Sequence, residues 1–262
     1  MQKLFNLEKF PINCPESESY RLLVKRCRTD LEKEGMFNLE GFVHNAVMQK
    51  AVEAIAPKMA AESFTHARSH NVYFKEQVDG LPQDHPALTK FQTVNHTLCA
   101  DQLQGNRVID IYEWEPLIRF LAAVMNKDQL HVMEDPLARV NVMSYREGET
   151  LNWHFDRSEF TTTLLLQAPE AGGAFEYRKD LRSAENPNYD GVEKLLSGQD
   201  PQKKSMTVTP GTLNVFRGIN TPHRVTKIQG NKERIIAVFS YYDRPGVMFS
   251  REEQVGFYGR AA

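Results

Sequence analysis

The segment Leu151-Asn152-Trp153-His154-Phe155-Asp156 decides the fold. Short and apolar-rich, it reads as a strand, and along a strand the side chains at i and i+2 project from one face. His154 and Asp156 therefore direct an imidazole nitrogen and a carboxylate oxygen at a common point. By itself, H-x-D fits a surface histidine beside a solvated aspartate equally well; its surroundings separate the two. Flanking it are runs rich in Val, Thr, Phe and Tyr at 130–133, 138–145, 160–167, 174–177, 205–208, 212–216, 223–228 and 234–242. Turn residues divide them: Arg146-Glu147-Gly148, Ala171-Gly172-Gly173, Pro210-Gly211 and Gly230-Asn231. Many short strands at this spacing predict a β-sandwich or barrel. An insertion at 180–202 interrupts them and carries a short helix near 189–196.

The chain upstream reads mainly helical. Tyr20, Leu23, Val24, Cys27 and Leu31 recur at three- and four-residue steps and predict a helix over 17–33, stopped by Gly35. Residues 36–42 predict a short strand and 45–64 a second helix, interrupted or kinked near Pro57. Leu117, Phe120, Leu121 and Val124 predict a third helix over 115–125. No internal repeat or long linker divides the chain, so the expectation is one α+β domain over 1–262 with helices packed on a barrel-like core.

Composition narrows the partners. The 262 residues carry 32 basic and 34 acidic side chains, a net charge of −2, which lacks the footprint of general nucleic-acid binding. Cys14, Cys27 and Cys99 are odd in number and widely spaced, and predict neither a disulfide framework nor a thiolate zinc site. No apolar run approaches the roughly 18 residues of a membrane span, and no signal-peptide core opens the chain. The expectation is a cytoplasmic enzyme or binding protein with no nucleic-acid and no membrane partner. The oligomeric state is left open.

A third ligand for the point addressed by His154 and Asp156 is His223, which opens the strand after Pro210-Gly211 and its Val-Phe run. Two histidines and one carboxylate make the facial triad of non-heme Fe(II) oxygenases, with positions left open for substrate and oxygen. Arg234, at the start of the last strand, offers a guanidinium suited to a bidentate grip on a carboxylate. Alone it would read as a surface salt bridge; after H-x-D and His223 it can anchor the far end of a dicarboxylic co-substrate.

His154-Phe155-Asp156, Pro210-Gly211-Thr212-Leu213-Asn214-Val215-Phe216-Arg217-Gly218, His223-Arg224-Val225, Gly230 and Arg234 together resemble the Fe(II)/2-oxoglutarate-dependent oxygenases. The resemblance covers 129–245 and implies a double-stranded β-helix (jelly-roll, cupin-like) core there, with 1–128 as mainly helical support and 246–262 as a tail. Gly172-Gly173-Ala174-Phe175-Glu176-Tyr177 and Gly256-Phe257-Tyr258-Gly259-Arg260 are similar to the branch containing radical halogenases and hydroxylases of free amino acids. Those halogenases carry a small residue in place of the metal-binding carboxylate, which admits halide. This chain keeps Asp156, so the resemblance implies hydroxylation, or desaturation or ring closure, of an unactivated C–H bond. It implies Fe(II) on His154, Asp156 and His223, and 2-oxoglutarate with its far carboxylate on Arg234. O2 is then consumed, and succinate and CO2 are released.

Alternation from Arg234 would turn Ser240 and Tyr242 inward as co-substrate or substrate contacts. On neighbouring strands Thr163 can meet the distal carboxylate, and Asn141 and Tyr145 can meet substrate. A free amino acid, the small-molecule substrate expected, needs a cation for its carboxylate, with Arg68 and His70 as candidates. It also needs an acid for its amine, with Glu134 and Asp135 as candidates. Phe257 and Tyr258 either close over the substrate or dock the tail. Two other classes compete: a cupin-like metalloenzyme that needs no 2-oxoglutarate, and a non-catalytic β-barrel binding protein.

Overall fold

Two antiparallel sheets organise the chain, whose residues 1–262 are all described by a computed structural model. The larger has seven strands in the order Met36–Leu39, Leu213–Phe216, Thr161–Gln167, Arg234–Phe239, Val140–Tyr145, Phe91–Cys99 and Phe64–His70. The smaller has four: Lys204–Met206, Phe175–Tyr177, His223–Val225 and Leu151–His154.

Strand alternation sorts the side chains of the large sheet. Ile235, Ala237 and Phe239 enter the main apolar core, as do Leu164, Leu166, Val140 and Val142. Their neighbours Arg234, Ile236, Thr163, Leu165, Asn141 and Tyr145 face a cavity on the other side. Helices cover the core face. The helix Glu18–Glu34 starts where Ser17 Oγ accepts from the Tyr20 N–H at 3.1 Å, ends at Gly35 with φ 77°, and buries Tyr20, Leu23, Cys27 and Leu31. Helix Glu115–Met125 spans the stretch expected of it, as does Tyr189–Leu196 within the insertion. Each large apolar side chain buried this way contributes roughly 1.5–3 kcal/mol.

Three departures from the sequence reading matter. Helix Asn45–Glu62 runs unbroken through Pro57, because Met48, Ala51, Ile55 and Met59 are buried on both sides of it and hold the axis on the core. The first 128 residues are not merely helical support, since beyond the expected strand Met36–Leu39 they supply two more strands of the large sheet, Phe64–His70 and Phe91–Cys99. Finally, the tail forms a helix, Arg251–Tyr258, with a reciprocal cap between Ser250 and Glu253. No helix is long and apolar enough to cross a membrane.

Candidate active site

His154 closes one strand of the small sheet and His223 opens its neighbour, and the two are direct cross-strand partners. That register brings their ring centroids to 4.2 Å. Asp156 follows where the chain leaves the strand, its backbone N–H donating to Gly218 O at 3.1 Å. Asp156 Oδ1 lies 3.3 Å from His154 Nε2 and 3.5 Å from His223 Nε2. One candidate ligand atom from each residue fits within 4.8 Å of the other two.

The tautomers follow from the backbone. His154 Nδ1 donates to Asn152 O at 2.8 Å and His223 Nδ1 to Thr221 O at 3.0 Å. A carbonyl only accepts, so each Nδ1 carries the proton and each Nε2 lone pair faces Asp156, the orientation a metal ligand requires. Burial pushes the His223 imidazole down to about 4, which keeps it neutral. Burial alone would raise the Asp156 carboxyl, but the positive charge that His223 and His154 carry when protonated, together with the Thr161 hydroxyl that donates to Oδ2 at 2.5 Å, holds it well below the usual carboxylate range. An anionic oxygen facing two imidazole Nε2 atoms is a donor set for a divalent transition metal. Gly218 is required beside it, since a Cβ there would stand 2.2 Å from Asp156 Oδ2.

The triad opens on a cavity of about 920 Å³. Arg234 lies in its wall, 4% exposed, with Nη1 lacking any partner and Tyr145 as its cross-strand neighbour. Burial pulls its guanidinium down to about 10. A buried cation without a counter-ion is unfavourable until an anion joins it, so Arg234 fits the far carboxylate of 2-oxoglutarate. Thr163 lines the same cavity. Ser240 and Tyr242 do too, as expected, but the strand ends at Phe239, so strict alternation is lost and Phe239 and Tyr241 also line the cavity, while the Ser240 hydroxyl donates to Ala138 O at 3.2 Å.

The expected substrate contacts divide. Arg68, Asn141, Tyr145, Phe257 and Tyr258 all line the cavity. Arg68 is exposed, 4.9 Å over the Phe74 ring, and makes no ion pair. Asn141 is saturated: its amide donates to Leu137 O and Val140 O, and its oxygen accepts from the Tyr258 hydroxyl at 2.9 Å. His70 lines the cavity as well, but Nδ1 bonds Asn71 O at 3.0 Å and Nε2 bonds Thr93 Oγ1 at 2.9 Å, and burial lowers its basicity. It is therefore a neutral wall and not a cation. Glu134 is not brought to the site: it is exposed and accepts from the Gly246 N–H at 3.0 Å. Asp135 is fully buried and accepts from Leu137, Ala138, Phe249 and Gln254. Sequence reasoning missed Arg182, which also lines the cavity. It stands in the insertion among loop-forming residues, and no local pattern marks it.

The Halogenase D family matches residues 20–248. No curated protein matches the sequence. Among solved structures the chain is similar to SnoN, a non-heme alpha ketoglutarate dependent epimerase from nogalamycin biosynthesis, with TM-score 0.60 and 11% identity over 85% of this chain and 84% of that one. It is also similar to a Pseudomonas putida prolyl-4-hydroxylase, with TM-score 0.51 and 13% identity over 85% and 100%. A third is HygX from Streptomyces hygroscopicus, solved with nickel and 2-oxoglutarate bound, with TM-score 0.54 and 12% identity over 83% and 86%. At these identities the likeness is one of fold, whereas the family match spans most of the chain and includes the whole triad. The chain belongs to the Halogenase D family, within the Fe(II)/2-oxoglutarate oxygenases.

Proposed function

We propose that this Fe(II)/2-oxoglutarate-dependent oxygenase hydroxylates an unactivated C–H bond of a small polar metabolite, a free amino acid, with release of succinate and CO2. Asp156 carries this reading, held anionic between His154 and His223. A carboxylate there takes the coordination position that halide would need, and its charge opposes an incoming anion. Bound Fe(II), with 2-oxoglutarate and O2, supplies the oxidant for C–H cleavage.

The chain's own residues do the rest. His154, Asp156 and His223 hold the metal, with their tautomers set by Asn152 O and Thr221 O. Arg234 receives the far carboxylate of 2-oxoglutarate, and Thr163, opposite Val238 in the strand register, lines the same cavity. Arg68 takes the substrate carboxylate, and Tyr145, Phe257 and Tyr258 help exclude water from the cavity. The two sheets that flank the triad are the faces of a double-stranded β-helix in one catalytic unit over 1–262.

A panel of L-amino acids incubated with Fe(II), 2-oxoglutarate, ascorbate and chloride, read by mass, tests the proposal. A gain of one oxygen coupled to succinate is expected. Loss of two hydrogens would redirect it to desaturation or ring closure, and a chlorinated product or no turnover across the panel would refute it.

A further inference from the structure

The cavity holds more positive charge than this chemistry uses. Arg234 is committed to the co-substrate and Asp156 to the metal, while Arg157 and Glu253 pair with each other at 3.1 Å. Arg68 and Arg182 remain without a carboxylate, and Arg182 is the better positioned. It follows Leu181, which is buried with Val72, Tyr73, Phe155 and Val192 in a second apolar cluster. That cluster joins the segment after Phe64–His70 to the insertion, and Tyr73 ties them by donating to Pro187 O at 2.7 Å. From this support the Arg182 guanidinium lies 3.8 Å over the Phe155 ring. Phe155 lines the same cavity as His154 and Asp156, so the stack seats the cation in the wall of that cavity.

One edge of that guanidinium is anchored, with Nε donating to Ile219 O at 2.8 Å. The two terminal nitrogens make no ion pair or hydrogen bond within the protein, and the residue lines the cavity. A guanidinium stacked on an aromatic face and held at Nε loses little freedom when its remaining fork meets a carboxylate.

We propose that Arg182 receives a second carboxylate of the substrate, so that the preferred substrate is an amino acid whose side chain ends in a carboxylate. Its α-carboxylate lies at Arg68 and its side-chain carboxylate at Arg182. The inference rests on the free-amino-acid reading given above and names its substrate class.

The test uses anaerobic protein loaded with Fe(II) and 2-oxoglutarate, titrated calorimetrically with L-glutamate, L-glutamine, L-aspartate, L-asparagine and L-lysine. One of the two acids should bind about tenfold or more tighter than its amide, the worth of a hydrogen-bonded charge pair, and tighter than lysine. In Arg182→Gln the acid-to-amide ratio should fall to near one. An amide or lysine that binds as tightly as the acids, no binding by either acid, or an unchanged ratio in Arg182→Gln overturns the proposal. If that variant does not fold, the wild-type ratio decides alone. The visible band of the Fe(II)–2-oxoglutarate pair, recorded before any amino acid is added, separates the two readings. Its absence counts against the oxygenase assignment, and its presence with the wrong selectivity counts against Arg182.

Discussion

Replacing Arg234 by Met should stabilise the protein in the absence of 2-oxoglutarate and make it indifferent to 2-oxoglutarate. The guanidinium is 4% exposed and Nη1 has no partner. At neutral pH it is charged in both the folded and the unfolded chain, so the whole penalty of burying it weighs on the folded state. The fall from the ordinary arginine range to about 10 corresponds to roughly 3 kcal/mol against the charged form. Water in the adjoining cavity reduces this, and about 1–3 kcal/mol is expected. Met keeps the apolar stem and removes the charge, so the melting temperature should rise by roughly 2–10 °C at this chain length. Adding 2-oxoglutarate at a hundredfold excess over its Kd should stabilise the wild type by about 2.7 kcal/mol and leave the variant unmoved. Thermal melts with a divalent metal present throughout, with and without 2-oxoglutarate, read both effects. A variant that melts no higher than wild type alone, or that keeps the full 2-oxoglutarate shift, would falsify the assignment of Arg234 as a site awaiting an anion.

Asp156→Ala should abolish hydroxylation and, in halide-free buffer, the visible Fe(II)–2-oxoglutarate band, since it removes the one anionic ligand and no halide replaces it; a band of wild-type intensity under those conditions would exclude Asp156 from the metal. Gly218→Ala should weaken metal binding by at least about tenfold, because its Cβ would sit 2.2 Å from Asp156 Oδ2. Metal titration beside a thermal melt checks this, and unchanged affinity in a folded variant would contradict it. Asp135 gives a pH effect of defined sign. Burial alone would raise its carboxyl, but the N–H groups of Ala138, Gln254, Leu137 and Phe249 hold it below 3.8. Its contribution is therefore present above about pH 4 and is lost as pH falls through the folded value. Asp135→Asn should lower stability at pH 7 by about 1–3 kcal/mol and flatten the acid side of the stability curve; an acid limb parallel to wild type would show that other carboxyls dominate.

The legible parts of this molecule are those where local chemistry and tertiary role agree. Ser17 and Gly35 bracket a helix whose apolar stripe meets the core, and residues 115–125 do the same without a tertiary conflict. The strands Phe64–His70 and Phe91–Cys99 are different. One face of Phe91–Cys99 borders the cavity through Thr93, Asn95 and Thr97, and its partner strand is largely exposed. Polar residues therefore stand where a buried strand would show Val or Ile, and the periodicity that identifies strands elsewhere is absent. Their place in the large sheet depends on pairing with Val140–Tyr145, which is distant in sequence. The run through Ser240 fails for another reason, since a strand ends where its partner ends and no residue before Tyr241 announces it.

Sequence alone picked out His154, Asp156, His223 and Arg234 as the proposed metal and co-substrate residues, because they sit at spacings set by strand geometry and carry chemistry that few other arrangements use. The tertiary structure decided which nitrogen of each histidine is free, that Glu134 stands away from the cavity, that His70 is neutral, and that Arg182 stacks on Phe155 in the cavity wall. Each of these depends on a partner far along the chain. A backbone carbonyl that selects a tautomer, or an aromatic ring that seats a guanidinium, acts only once folding has brought it within a few ångströms.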